Sequence, residues 1–178
     1  GLLVEVLIFN DALTETERQS VEAQLSQKFD IEGSFTVLNV APELTSLSVT
    51  PMISENDFAT LTGAFTDPGT LDVHTLTVEW GDGNTENITL ATGDRSFSLQ
   101  HQYLDDNPTG TPSDDYTVTI CVKDDDTGVT CESLTVKVNN VAPTASVTCD
   151  EIDEGGTANL TATFSDVGTK DTHTMVVA

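Results

Sequence analysis

Alternation of apolar and polar positions at period two dominates the middle of the chain. Ala59, Leu61, Gly63 and Phe65 share one face of such a segment, and His74, Leu76, Val78 and Trp80 share the next. Phe97, Leu99 and His101 follow, then Tyr116, Val118, Ile120 and Val122, and finally Leu134, Val136 and Val138. Turn-forming stretches separate them: Asp67-Pro68-Gly69, Gly81-Asp82-Gly83-Asn84, Asn107-Pro108-Thr109-Gly110 and Asp126-Thr127-Gly128.

Short strands at this spacing, about seven in about 100 residues, predict an all-β fold, a β-sandwich of the immunoglobulin type. The N-terminal segment follows a different rule. Residues 2–9 are strongly apolar, interrupted only by Glu5, and predict a buried strand. Thr14 followed by Glu17 makes a capping box, with Glu15 and Glu17 near the positive end of the helix dipole. Val21, Leu25 and Phe29 recur every fourth position, which predicts a helix of about 14 residues with one apolar stripe.

Whole segments recur. Asn39-Val40-Ala41-Pro42 returns as Asn140-Val141-Ala142-Pro143, and Phe65-Thr66-Asp67-Pro68-Gly69-Thr70 as Phe164-Ser165-Asp166-Val167-Gly168-Thr169. Asp72-Val73-His74-Thr75 returns as Asp171-Thr172-His173-Thr174. A constant offset of about 100 residues means tandem domains, because solenoid repeats are far shorter. The Asn-Val-Ala-Pro segments read as linkers, where Pro fixes an extended entrance to each repeat. The expected domains are residues 1–35, 36–140 and 141–178. The last of these stops where the first repeat is mid-strand, and half a sandwich does not cover its own apolar face. We therefore expect a piece of a longer polypeptide. It has no initiating Met and no apolar run long enough to cross a bilayer.

Charge narrows the function. Six Lys and Arg stand against 30 Asp and Glu, a formal net charge of −24. So few cations assemble no basic patch, which argues against nucleic acid and against anionic membrane surfaces. The acidity serves solubility, or else some carboxylates neutralise a hard cation such as calcium. No Gly-x-Ser-x-Gly, His-Glu-x-x-His, P-loop or Gly-x-Gly-x-x-Gly pattern occurs, so the expected protein is not an enzyme. His74, His101 and His173 are expected in structural roles. Asp82 lies in a Gly-Asp-Gly-Asn turn and is expected to bond local amides. Asp105-Asp106 and Asp114-Asp115 flank a Pro/Gly-rich loop, and Asp124-Asp125-Asp126 tops a hairpin that does not match an EF-hand. Both groups read either as solvated acidic turns or as oxygen ligands.

Of three cysteines, Cys121 and Cys131 flank the turn over residues 124–128 at equal distance, on one strand face by parity. A cross-strand disulfide is expected there, which fits a secreted protein. Cys149 has no evident partner. Asn87-Ile88-Thr89 and Asn159-Leu160-Thr161 fit the glycosylation triplet by chance.

The ordered set Phe65-Thr66-Asp67-Pro68-Gly69, Trp80-Gly81-Asp82-Gly83, His101 with Tyr103, Tyr116-Thr117-Val118-Thr119-Ile120, Asp124-Asp125-Asp126 and Val136-Lys137-Val138-Asn139-Asn140 resembles the PKD (polycystic kidney disease) domain family. The likeness covers one whole repeat and part of a second. Val4-Glu5-Val6-Leu7-Ile8-Phe9-Asn10, Ala12-Leu13-Thr14, Glu17-Arg18 and Val21-Glu22 resemble the closing strand and helix of a laminin-G-like, concanavalin A-type jelly roll. The PKD resemblance implies an extracellular module that spaces or displays other domains, and calcium held near the domain entrance. On that basis the expected ligands are Asp67, Asp72, Asp124 and Asp126, with Asp166 and Asp171 as their counterparts in the second repeat.

The leading expectation is therefore a non-catalytic structural or adhesion spacer of a large secreted or cell-surface protein, bacterial in type. Its partners would be neighbouring domains of the same polypeptide, with carbohydrate or other surface proteins as further candidates. Two alternatives remain open: an accessory module of a secreted polysaccharide- or protein-degrading enzyme, and a filament subunit that self-associates by strand exchange.

Overall fold

The computed structural model describes residues 13–29, 38–106 and 110–176. The strand expected over residues 2–9 lies outside the described residues. The helix α1 runs Glu15–Phe29. Its start is a reciprocal cap, in which Thr14 N–H donates to the Glu17 carboxylate at 2.9 Å and Glu17 N–H donates to Thr14 Oγ1 at 3.3 Å. These bonds hold the Glu17 carboxyl below its ordinary value. Val21 and Leu25, the stripe positions, remain partly exposed.

The first repeat is an all-β sandwich. One sheet has the order β1 (Glu43–Val49), β3 (Phe58–Thr66), β6 (Ser96–Gln102). The other runs β2 (Met52–Ser54), β8 (Val129–Asn139), β7 (Ser113–Lys123), β4 (Thr75–Glu79), β5 (Thr85–Thr89). Only the β2–β8 pairing is parallel in this second sheet. Ala59, Leu61, Phe65 and Phe97 from the first sheet meet Leu76, Val78, Trp80, Val118, Ile120, Val122, Val136 and Val138 from the second in one buried cluster. The alternation read from the sequence is thus the alternation of burial. The edge strands β1, β2 and β5 had no such signal, being short or polar.

Trp80 is fully buried, so it offers no platform to a ligand. Its indole N–H donates to Glu86 at 2.8 Å, and His101 stacks on its ring at 4.7 Å. The Gly81-Asp82-Gly83-Asn84 turn follows. Gly81 has φ +86°, and a Cβ there would lie 2.6 Å from the Thr117 carbonyl oxygen, so only glycine fits. Asp82 accepts the Asn84 N–H at 3.0 Å and the His101 imidazole N–H at 2.8 Å. Burial pushes the Asp82 carboxyl up, but these bonds outweigh it and hold the group below its ordinary value.

Two tyrosines pin the loop after β6. Tyr103 Oη donates to the Trp80 carbonyl at 2.8 Å, and Tyr116 Oη donates to the Asp105 carbonyl at 3.0 Å. Burial raises both phenols, Tyr116 to about 12. Cys121 pairs with Cys131 in the β7–β8 register, and a disulfide joins them. Cys149 is free and exposed.

In the second repeat, β9 (Thr144–Cys149) pairs antiparallel with β10 (Leu160–Ser165). Val147, Leu160 and Phe164 stay exposed on this ribbon.

Replacing Tyr103 by Phe removes a buried donor and leaves the Trp80 carbonyl without it. The expected loss is about 1–3 kcal/mol in urea-induced unfolding. An unchanged midpoint would show that the hydroxyl is not holding the loop.

Candidate metal centre

Carboxylates gather at the two ends of the sandwich, where the linkers enter and leave. At the entrance, one oxygen each from Asp67, Asp72 and Asp124 lies within 4.8 Å of the others. Asp67 is placed by the loop after β3. Its Oδ1 accepts Gly69 N–H at 2.8 Å and its Oδ2 accepts the His74 imidazole N–H at 2.8 Å. Asp124 heads the β7–β8 turn, where it accepts Gly128 N–H at 2.7 Å and the Asn39 side-chain amide at 2.8 Å. The second bond ties the first linker to the hairpin. Asp72 packs against Gly69, where an added Cβ would fall 1.9 Å from its Oδ2. Burial, then repulsion from Asp67 and the hairpin carboxylates, raises the Asp72 carboxyl.

Of the four residues expected at this entrance, the structure brings together Asp67, Asp72 and Asp124. Asp126 stays exposed on the turn, outside the group. Its neighbour Asp125 reaches the opposing loop instead, accepting Val73 N–H at 3.1 Å.

At the exit, a second group combines both repeats. One oxygen each from Glu55, Asp105, Asp106 and Asp171 lies within 4.8 Å of the others. Glu55 follows β2; its N–H donates to the Asn139 carbonyl, and its Oε1 accepts Val141 N–H at 2.7 Å. Asp105 and Asp106 sit on the loop that Tyr103 and Tyr116 pin. Asp171 comes from the loop after β10. Asp166 stands beside it, bonded to His173, in the arrangement that Asp67 and His74 show one repeat earlier. His173 and the amides of Gly168 and Val167 hold the Asp166 carboxyl below its ordinary value.

Glu55, Asp105 and Asp106 are only 2–3% exposed. Yet Glu55 Oε2, both Asp105 oxygens and Asp106 Oδ2 have no hydrogen-bond partner. Burial is the main cause that raises the carboxyls of Glu55, Asp106 and Asp171, and mutual repulsion adds to it. A buried carboxylate without a partner is costly, so it takes up a proton or meets a cation.

The sequence had flagged Asp105-Asp106 as a possible oxygen set, and Asp166 and Asp171 as counterparts of Asp67 and Asp72. It missed Glu55. Nothing in Ser54-Glu55-Asn56 marks it locally, since its role comes from β2 lying beside β8 and the linker. All three histidines give Nε2 to a turn carboxylate: His74 to Asp67, His101 to Asp82 and His173 to Asp166.

No family model matches this chain, and no curated protein matches it. Solved structures similar to it include two β-sandwich modules. The PKD domain of an M14-like peptidase from Thermoplasmatales archaeon SCGC AB-540-F20 aligns with 58% of this chain and 100% of its own, at 23% identity and TM-score 0.48. A structure of carbohydrate-binding modules of the β-sandwich superfamily, solved to explain their promiscuous specificity, aligns with 73% of this chain and 56% of its own, at 17% identity and TM-score 0.42.

The raised carboxyls fix a pH dependence. Each binds its proton more tightly folded than unfolded, so ionisation subtracts stability as pH rises from the ordinary value, 3.8 for Asp and 4.5 for Glu, through the raised one. The lowered groups Glu17, Asp82 and Asp166 act oppositely, but they withdraw stability only as pH falls below their ordinary values. Cation-free protein should therefore melt higher at about pH 5 than at neutral pH. A melting temperature that stays level or rises from about pH 5 to neutral pH would contradict the assignment.

Proposed function

We propose that the chain is a non-catalytic, extracellular spacer module of a larger polypeptide, whose tandem sandwiches calcium stiffens. One observation carries the reading: carboxylates converge at both ends of the first sandwich, against the linkers. Asn39 is tied to Asp124 at one end, and Val141 to Glu55 at the other. These carboxylates lie at the points where one repeat hands over to the next, where an ion would change how freely the repeats hinge.

The entrance residues fit a hard cation. Asp67, Asp72 and Asp124 supply carboxylate oxygens from two separated loops, and calcium accepts six to eight oxygens, including carbonyls and water. Asp126 has no part in this set. The β7–β8 disulfide supports secretion, since such bonds persist in oxidising compartments. No helix among the described residues is long and apolar enough to cross a membrane.

Thermal unfolding of the full chain with calcium and with excess chelator tests the reading. An ion that binds only the native state adds about 2.7 kcal/mol at a hundredfold excess over Kd, enough to raise the melting temperature by several degrees. Asp124→Asn should shrink this shift while leaving the chelated protein folded. An identical melting temperature in calcium and chelator would mean that the carboxylates hold no calcium.

A further inference from the structure

The exit group has a property that the entrance group lacks: its ligand atoms come from two repeats. We infer that Glu55, Asp105 and Asp106 of the first repeat and Asp171 of the second form one shared calcium site, a pin across the inter-repeat joint. The inference deepens the spacer reading and rests on it for the ion's mechanical role, whereas the binding itself is argued from this site alone.

Two independent observations support it. The first is convergence. Four carboxylate oxygens from three separate loops lie within 4.8 Å of one another, the span of a calcium coordination shell with oxygens at about 2.3–2.6 Å. The second is lack of partners. Glu55, Asp105 and Asp106 are more than nine-tenths buried, and four of their oxygens accept no hydrogen bond. Surface acidic clusters differ, because water satisfies them.

The surrounding backbone holds this geometry. Tyr116 Oη fixes the Asp105 carbonyl, and Val141 N–H takes Glu55 Oε1, which turns Oε2 toward the group. Across the joint, Thr169 donates to the Leu104 carbonyl through both N–H and Oγ1, at 3.2 and 3.3 Å. Gly168 lets the second repeat come close: a Cβ there would lie 2.3 Å from Glu55 Oε2 and 2.7 Å from Asp171 Oδ2. A cleft lined by Asp106, Asn140, Asp166, Asp171 and His173 opens beside the group and gives an ion and its waters a route in.

Neither repeat holds the full set, so ion binding and docking of the repeats are one equilibrium. An ion held by both repeats favours the docked arrangement by its differential affinity for it.

Calorimetric titration of the full chain with calcium chloride tests this, on wild type, Asp124→Asn, Asp105→Asn/Asp106→Asn and Asp171→Asn. The expected result is a site that survives Asp124→Asn. It should weaken at least about tenfold both in the double variant and in Asp171→Asn, which change opposite sides of the joint. Asparagine keeps the shape and removes charge, and near-ultraviolet circular dichroism verifies folding. Should the double variant not fold, Asp171→Asn on the more open second repeat carries the same test. Wild type that takes up no calcium to about 10 mM, weaker than extracellular modules bind it, would overturn the inference. So would variants that titrate like wild type. If Asp124→Asn alone abolishes uptake, only the entrance binds and the shared site is wrong. If only the joint variants lose uptake, the shared site stands and the entrance assignment fails.

Discussion

A carboxylate removed from water either gives up its charge or finds a positive partner. That constraint organises this molecule. Thirty acidic residues cover a chain with six Lys and Arg, and at the ends of the first sandwich several acidic side chains are buried together. Protein cations are too few to neutralise them there. The fold nonetheless holds them in place with backbone amides, two tyrosine hydroxyls and paired histidines, so their convergence is built into the structure. Under the proposed spacer role, repulsion would weaken the cation-free joints, and an ion would turn the same groups into a clamp.

The core makes this possible from a distance. Trp80, stacked on His101 and bonded to Glu86, fixes the end of β4 and the Gly-Asp-Gly-Asn turn. Tyr103 bonds the Trp80 carbonyl, and Tyr116 bonds the Asp105 carbonyl beyond it. The rings of Tyr103 and Tyr116 contact each other at 4.8 Å. A continuous path of packed aromatic groups therefore runs from the sandwich interior to the carboxylates at the joint. Trp80, Tyr103 and Tyr116, the aromatic residues of this scaffold, are themselves buried.

The sandwich was legible in the sequence because alternation is a direct image of burial. Positions such as Leu61, Val78 and Ile120, picked out by period two alone, are fully buried. The helix was legible from Thr14 and Glu17, which form the capping box in the structure. The edge strand β5 was not legible: Thr85-Glu86-Asn87-Ile88-Thr89 is mostly polar and pairs on one side only. At the site, Asp67, Asp72 and Asp124 could be named from the PKD resemblance, which implies calcium near the domain entrance, and the structure brings their carboxylates together. Asp126, named on the same resemblance, stays exposed on the hairpin turn, outside the group. Glu55 was invisible because its position depends on a parallel β2–β8 pairing of distant residues, such as Met52 with Lys137. No local pattern encodes such a pairing.

The shared joint is the central claim, and the most direct test is crystallographic. Crystals of the full chain grown in calcium should show an anomalous peak amid Glu55, Asp105, Asp106 and Asp171, with oxygens at about 2.3–2.6 Å. Carboxyl groups paired with one another through short O–H···O contacts, and no peak between them, would contradict it. In that case burial would be relieved by protons, and the two repeats would meet without an ion.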